Sequence, residues 1–324
     1  MTKQSSKKQP SSGRRKSSRK RQKKTHTWVR AALYAVLLAA AAAAGYFYGY
    51  SRAQTRYLEA LNTEKARSYD LACSLKEARA KTARHEYEKQ PPKPPKRPEK
   101  SDQRAKRPML AIIIDDVSFA HDVRHIEALH LPLTMSFLPP SPRHPDSARL
   151  AAKAPFYMVH LPLEAMAFSA EEPKTLHTGD SAEVIDARVR EIKRLFPKVR
   201  YVNNHTGSRF TSDATAMQRL ISALDREGIT FIDSRTTAKT AVPALMKALH
   251  RPYLARDVFL DHDPDIDAVK KQIARAVALA KKHGFAVAIG HPHKMTLAAL
   301  AASKALLSQV RLVRIDVLAK SLQR

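Results

Sequence analysis

The chain has one cysteine, Cys73, in 324 residues. No intrachain disulfide can brace it, and no cysteine cluster can hold a metal. Glycine is almost as scarce, with eight in all. No Gly-x-Gly-x-x-Gly, phosphate-binding loop or Gly-x-Ser-x-Gly elbow is present. Dinucleotide, nucleotide-triphosphate and serine-hydrolase chemistry therefore lose their usual signals. Acidic residues are also few, 30 against 58 Lys and Arg, for a net charge of +28. The first 30 residues have none, while carrying twelve Lys and Arg.

So basic a tail could bind a nucleic acid, but the next segment argues against that partner. Residues 31–50 read AALYAVLLAAAAAAGYFYGY, with no charge, about the length of a helix that spans a bilayer. Trp28 lies at one end and Tyr46, Phe47, Tyr48 and Tyr50 at the other, as in aromatic belts. The positive tail keeps its own side cytoplasmic. The expectation is a single-pass anchor in the inner (cytoplasmic) membrane, N-terminus inside, with the rest of the chain periplasmic or extracellular.

Residues 51–89 are charged, Ala-rich and free of Gly and Pro, and predict a helical stalk. Leu58, Leu61, Ala72 and Leu75 fall near heptad spacing, interrupted by Lys65, Ser68 and Arg79. That pattern leaves room for self-association through the stalk. Residues 90–108 are rich in Pro and Lys and predict an extended linker. The folded domain is expected over 109–324.

In that domain apolar strand-like runs alternate with amphipathic helical segments, which argues an α/β barrel or doubly wound sheet. The first run, Leu110 to Ile114, leads straight into Asp115 and Asp116. An unbroken apolar run suits a strand buried on both faces. Other candidate strands end in polar clusters: His160 with Glu164, Asn203-Asn204-His205, Asp233-Ser234-Arg235, Asp261-His262-Asp263 and His291-Pro292-His293. If the strands are parallel, these clusters meet on one rim. Asp and His without cysteine suit zinc or another borderline divalent metal.

The stretches IIIDD, HLPLEAM, NNHTGSRFTSD, FIDSRTT, RDVFLDHD and AIGHPHKMTL together resemble the divergent polysaccharide deacetylase family, remote relatives of NodB-like carbohydrate esterases. The resemblance covers about residues 109–320. It implies a distorted (β/α)7-type barrel and metal-dependent hydrolysis of N-acetyl groups on an envelope or extracellular polysaccharide. It makes Asp115 the catalytic base and Asp116 a metal ligand. His160 is the next ligand. The relatives place a second His where Glu164 stands, so the third ligand is His205, with Glu164 as the alternative. His291 is the acid, oriented by Asp233. Asn204, Gly207, Ser208, Arg209 and Arg235 are expected at the substrate or oxyanion. The metal is zinc, with cobalt or manganese as substitutes. A catalytically inactive, anchored glycan-binding protein is the rival reading.

Overall fold

The computed structural model describes residues 107–167 and 170–322, together with most of residues 33–56. The chain divides into two units, Met1–Glu77 and Ala78–Arg324. In the first, the described residues between 33 and 56 are helical, with exposed side chains such as Leu33, Leu37 and Leu38. Among the described residues no helix is long and apolar enough to cross a membrane. The expected tail (1–30), stalk (51–89) and linker (90–108) fall almost wholly outside the described residues, as does part of the expected spanning segment (31–50).

The second unit is built on eight strands: β1 (Met109–Val117), β2 (Thr134–Phe137), β3 (Met158–Leu163), β4 (Tyr201–Thr206), β5 (Thr230–Ile232), β6 (Val258–Phe259), β7 (Phe285–Gly290) and β8 (Arg311–Val313). The helices in chain order are α1 (Ala120–Glu127), α2 (Ser147–Lys153), α3 (Ala182–Leu195), α4 (Ser208–Ser212) and α5 (Ala214–Arg226). They continue with α6 (Val242–Ala248), α7 (Ile266–His283), α8 (Lys294–Ala302), α9 (Lys304–Leu307) and α10 (Ile315–Leu322).

Seven strands lie in the order β5-β4-β3-β2-β1-β7-β6, and β8 pairs with β1 off that path. Every strand pair is parallel. The sheet curls into a half-barrel, and one parallel bridge, Asp233 to Ala255, ties the end of β5 to the segment ahead of β6. The barrel expected from the sequence is thus met in its seven parallel strands. It is open where β5 and β6 share only that bridge.

Strand alternation sorts the apolar residues into two cores. Leu110, Ile112 and Ile114 of β1 pack with the helices, among them Ile185, Leu220 and Ile273. Ala111 and Ile113 point the other way, into a smaller core with Met158, Tyr201, Ile232, Val287 and Ile289. Ile315, Leu318 and Ala319 of α10 complete it. The Ile315 N–H donates to the buried Thr134 Oγ1 at 3.0 Å, which satisfies both groups. Burying a side chain such as Ile113 stabilises by roughly 1.5–3 kcal/mol. A one-residue slip would exchange the two faces, so the register of β1 is strongly specified.

The helices are held by local chemistry. Ser181 caps α3 by accepting from the Val184 N–H, and Asp213 caps α5 through Ala216. Asp265 accepts from Asp267 and Ala268 at the start of α7, and Gly284, at φ +86°, ends that helix. These caps satisfy N–H groups that the first helical turn leaves unpaired.

Candidate active site

Because the strands are parallel, their C-terminal ends share one rim, and the inward-facing row of each strand ends there. Asp115 continues the inward row of Ala111 and Ile113 and is only 2% exposed. Asn203, two residues beyond the inward Tyr201, meets it from β4. Its amide nitrogen lies 2.9 and 2.8 Å from the two Asp115 oxygens and 2.9 Å from Ser234 Oγ. Its amide oxygen accepts from Ser136 Oγ at 2.6 Å and from His160 Nδ1 at 3.2 Å. An amide oxygen only accepts, so His160 carries its proton on Nδ1. Nε2 then presents a lone pair toward Asp116 Oδ1, 3.5 Å away.

Asp116 should point outward with Ile112 and Ile114. A left-handed backbone at Asp116 (φ +57°) and a register shift between Ile114 and Val117 turn it instead. Its Oδ1 reaches His205 Nδ1 at 3.1 Å, and the His160 and His205 rings stand 5.0 Å apart, edge to face. The ligand atoms of Asp116, His160 and His205 all lie within 4.8 Å of one another.

The environments separate the charge states. Burial pushes the Asp115 carboxyl up to about 7, against the lowering effects of His291 and the Asn203 hydrogen bond. Burial takes His160 down to about 3, so its ring is neutral. Burial also opposes the charge on Asp116, but the His205 charge and hydrogen bond hold it well below the usual carboxylate range. One anionic oxygen donor and a neutral imidazole with a free lone pair, beside a second imidazole, make a donor set that fits a divalent metal.

Across the rim, β6 and β7 pair with Phe259 opposite Ile289, so the next inward pair in register is Asp261 and His291. Asp261 Oδ1 lies 3.1 Å from His291 Nδ1, and Oδ2 accepts from the His291 N–H at 2.6 Å and from Thr296 Oγ1 at 2.7 Å. Burial opposes the imidazolium, yet the Asp261 charge and hydrogen bond carry His291 up to about 9. His293 also comes within metal-ligating reach of Asp261 and His291, although both Asp261 oxygens are already engaged.

Residues 112–319 match the divergent polysaccharide deacetylase family. The chain belongs to this family. It is 31% identical over 193 residues to the uncharacterized protein YibQ of Escherichia coli (strain K12), a match covering 59% of this chain and 60% of that one. It therefore spans about three-fifths of that relative's length. An uncharacterized Haemophilus influenzae protein (strain ATCC 51907 / DSM 11121 / KW20 / Rd) is 32% identical over 195 residues, covering 60% of this chain and 70% of its own. Among solved structures, the uncharacterized protein ATU2773 of Agrobacterium tumefaciens C58 superposes with a TM-score of 0.57 at 20% identity. That superposition covers 67% of this chain and 92% of the other, and it shows a shared fold.

In this deacetylase-family chain several sequence expectations need correction. Asp233 does not orient His291. Its carboxylate accepts from the Arg235 N–H, Thr240 Oγ1 and Tyr253 Oη instead. Asp261 is the partner because β6, not β5, lies beside β7. Glu164 does not join the Asp116–His160–His205 group. One oxygen accepts from the Thr178 N–H and hydroxyl, and the other faces Arg209 Nε at 3.4 Å.

The residues expected at the oxyanion are mostly engaged elsewhere. Asn204 alternates away from Asn203 and His205; its amide ties Thr206, Thr236 and the Ser234 N–H together. Ser208 Oγ accepts from the Met166 N–H. The Arg209 N–H donates to the Glu164 carbonyl, and its side chain is 54% exposed. Gly207 serves the turn: at φ +94°, a Cβ there would sit 2.9 Å from Leu163 Cβ. Arg235 stands beside Asp233, with its carbonyl accepting from Arg256.

The sequence placed Asn203, Ser234 and Asp261 in the rim clusters without a role for them, and Ser136 carried no signal there. The period of two was an available signal for Asn203, since residues two apart share a strand face.

Proposed function

We propose that this chain is a metal-dependent deacetylase that hydrolyses N-acetyl groups of an envelope or extracellular polysaccharide. The observation that carries the reading is the convergence of three parts on one rim: the Asp116–His160–His205 group, a buried carboxyl at Asp115, and His291 paired with Asp261. Zinc is the metal that best suits this mixed oxygen and nitrogen donor set. When bound it would supply Lewis acidity to an amide carbonyl and acidify a water.

The chain's own groups then divide the proton work. Asp115, held at both oxygens by Asn203, accepts the proton of the attacking water. Its raised pKa, about 7, makes it a stronger base than an ordinary carboxylate. His291 has its Nδ1 on Asp261, which leaves Nε2 to donate. As the C–N bond breaks, that proton goes to the departing amine. The two groups thus begin in opposite protonation states, as acid–base catalysis requires. The test is acetate release from peptidoglycan fragments and chitin-like oligomers with Zn²⁺, Co²⁺ or Mn²⁺ supplied. No release from any of them would remove the reading.

The pH dependence has a defined sign. His291 works protonated, so activity is present below its pKa and falls as pH rises through about 9, or lower once a nearby cation adds repulsion. Asp261→Asn removes the charge that raises His291, so the alkaline limb should move down toward an ordinary histidine, about 6.5. A pH–rate profile of kcat checks this, and an unmoved limb would assign it to another group.

The anchor belongs to the same proposal. The basic tail and uncharged segment 31–50 support a single-pass, N-inside topology with the catalytic domain outside the cytoplasm. A reporter active only outside the cytoplasm, fused after Arg107, should be active and membrane-bound. Activity in a soluble fraction would mean cleavage.

A further inference from the structure

A groove of about 610 Å³ lies away from the Asp and His residues of the rim, between the 174–177 segment and one face of α3. Arg188, Arg190 and Arg194 line it from the helix, and Lys174 faces them from the segment. Two acids share the lining, and both are engaged. The Asp180 carboxylate accepts from the His177 N–H at 2.8 Å. Glu191 pairs with both Lys174 and Arg188. Four cations thus line the groove against two carboxylates, and the balance is positive.

The decisive residue is Arg188. It is 7% exposed, and arginine is rarely buried unless fully paired. Nη1 donates to Glu191 at 2.8 Å, but Nε, also buried, has no hydrogen-bond partner. An unsatisfied buried N–H is costly, and guanidinium donors suit carboxylate and phosphate oxygens. The surplus charge of the groove favours ligand oxygens directly; Nε is buried as it stands, so a small shift of the Arg188 side chain is what would bring that donor to them.

We propose that this groove is an anion-binding subsite, and that Arg188 with its neighbouring cations holds a carboxylate or phosphate group carried by a glycan. The same segment connects the groove to the rim. Leu176 bridges to Leu163 at the end of β3, and Thr178 holds Glu164, four residues beyond His160. A polymer whose acetylated sugar lies at the rim can therefore run over Glu164 and set an acidic substituent against α3. This extension rests on the deacetylase reading; the anion site itself does not.

The test uses the full chain in detergent and titrates three probes by calorimetry: inorganic phosphate, an oligogalacturonate and a neutral chitin oligomer. Wild type should bind the oligogalacturonate, and more weakly phosphate, with affinity falling as salt rises. Arg188→Gln should weaken this binding about tenfold or more, the equivalent of one charge-assisted hydrogen bond. Arg194→Gln, at an exposed position, provides a folded second variant and should weaken it less. Zinc binding should be unchanged in both, which separates this site from the metal group. Phosphate binding without oligogalacturonate binding would overturn the glycan assignment. Absence of binding to both anions, or equal binding by wild type and both variants, would overturn the site.

Discussion

Replacing Asp115 with Asn is expected to lower acetate release about a hundred- to ten-thousandfold, the usual cost of losing a positioned base. Asparagine matches the carboxylate in size, and its oxygen can still accept from Asn203. It cannot take a proton from water. Asp115 is buried and its carboxyl is pushed up to about 7, so the neutral amide adds no desolvation cost and the fold should persist. His291→Ala should lose a similar factor, because the amine then departs without its proton. Both variants should bind zinc and glycan nearly as wild type, since neither residue belongs to the Asp116–His160–His205 group. The measurement pairs acetate release with zinc affinity and cooperative unfolding. If metal-loaded wild type binds glycans without releasing acetate, and Asp115→Asn changes nothing, the chain is an anchored binding protein.

Metal affinity should collapse on a different set of substitutions. Asp116→Ala, His160→Ala and His205→Ala each remove one of three convergent donors, and each should lose most bound zinc. Rim residues contribute little to the two apolar cores, so the loss should occur without unfolding. Glu164→Ala should stay within about tenfold of wild type. Groups that hydrogen-bond a ligand typically cost ten- to a hundredfold when removed, and Glu164 bonds Thr178 and faces Arg209 instead. Equilibrium dialysis against zinc decides the matter. Loss of binding in Glu164→Ala with retention in His205→Ala would reverse the choice of third donor. The two sets together separate chemistry from binding: Asp115 and His291 should change rate alone, while the three donors should change both.

Much of this was legible in the residues. Strands such as β1 and β7 match apolar runs, because parallel strands buried on both faces need near-continuous apolar sequence. The polar clusters mark where those runs give way, since a carboxylate or imidazole is too costly to bury without hydrogen-bond partners, which Asp115 and His160 find in Asn203. Helices α5 and α7 are followed by Gly228 and Gly284, both at positive φ, where glycine is the residue a helix stop favours. Even the inward row 111–113–115 follows from a period of two.

What sequence could not supply was adjacency and local backbone geometry. Asp233 and Asp261 look equivalent, each ending a short apolar run. Only the strand order, with β6 beside β7 and β5 at the far edge, gives His291 to Asp261. Asp116 would face outward on an ideal strand, and only its left-handed turn brings it to His160 and His205. Asn203 and Asn204 are chemically identical neighbours, and the pleat sends one to Asp115 and the other to the Ser234 backbone. Local sequence determined which segments become strands and where their apolar runs give way to polar groups, because those depend on burial and near-neighbour sterics. The tertiary structure alone decided which charges meet, because that depends on contacts between segments far apart in the chain, as between Asp116 and His205, 89 positions apart.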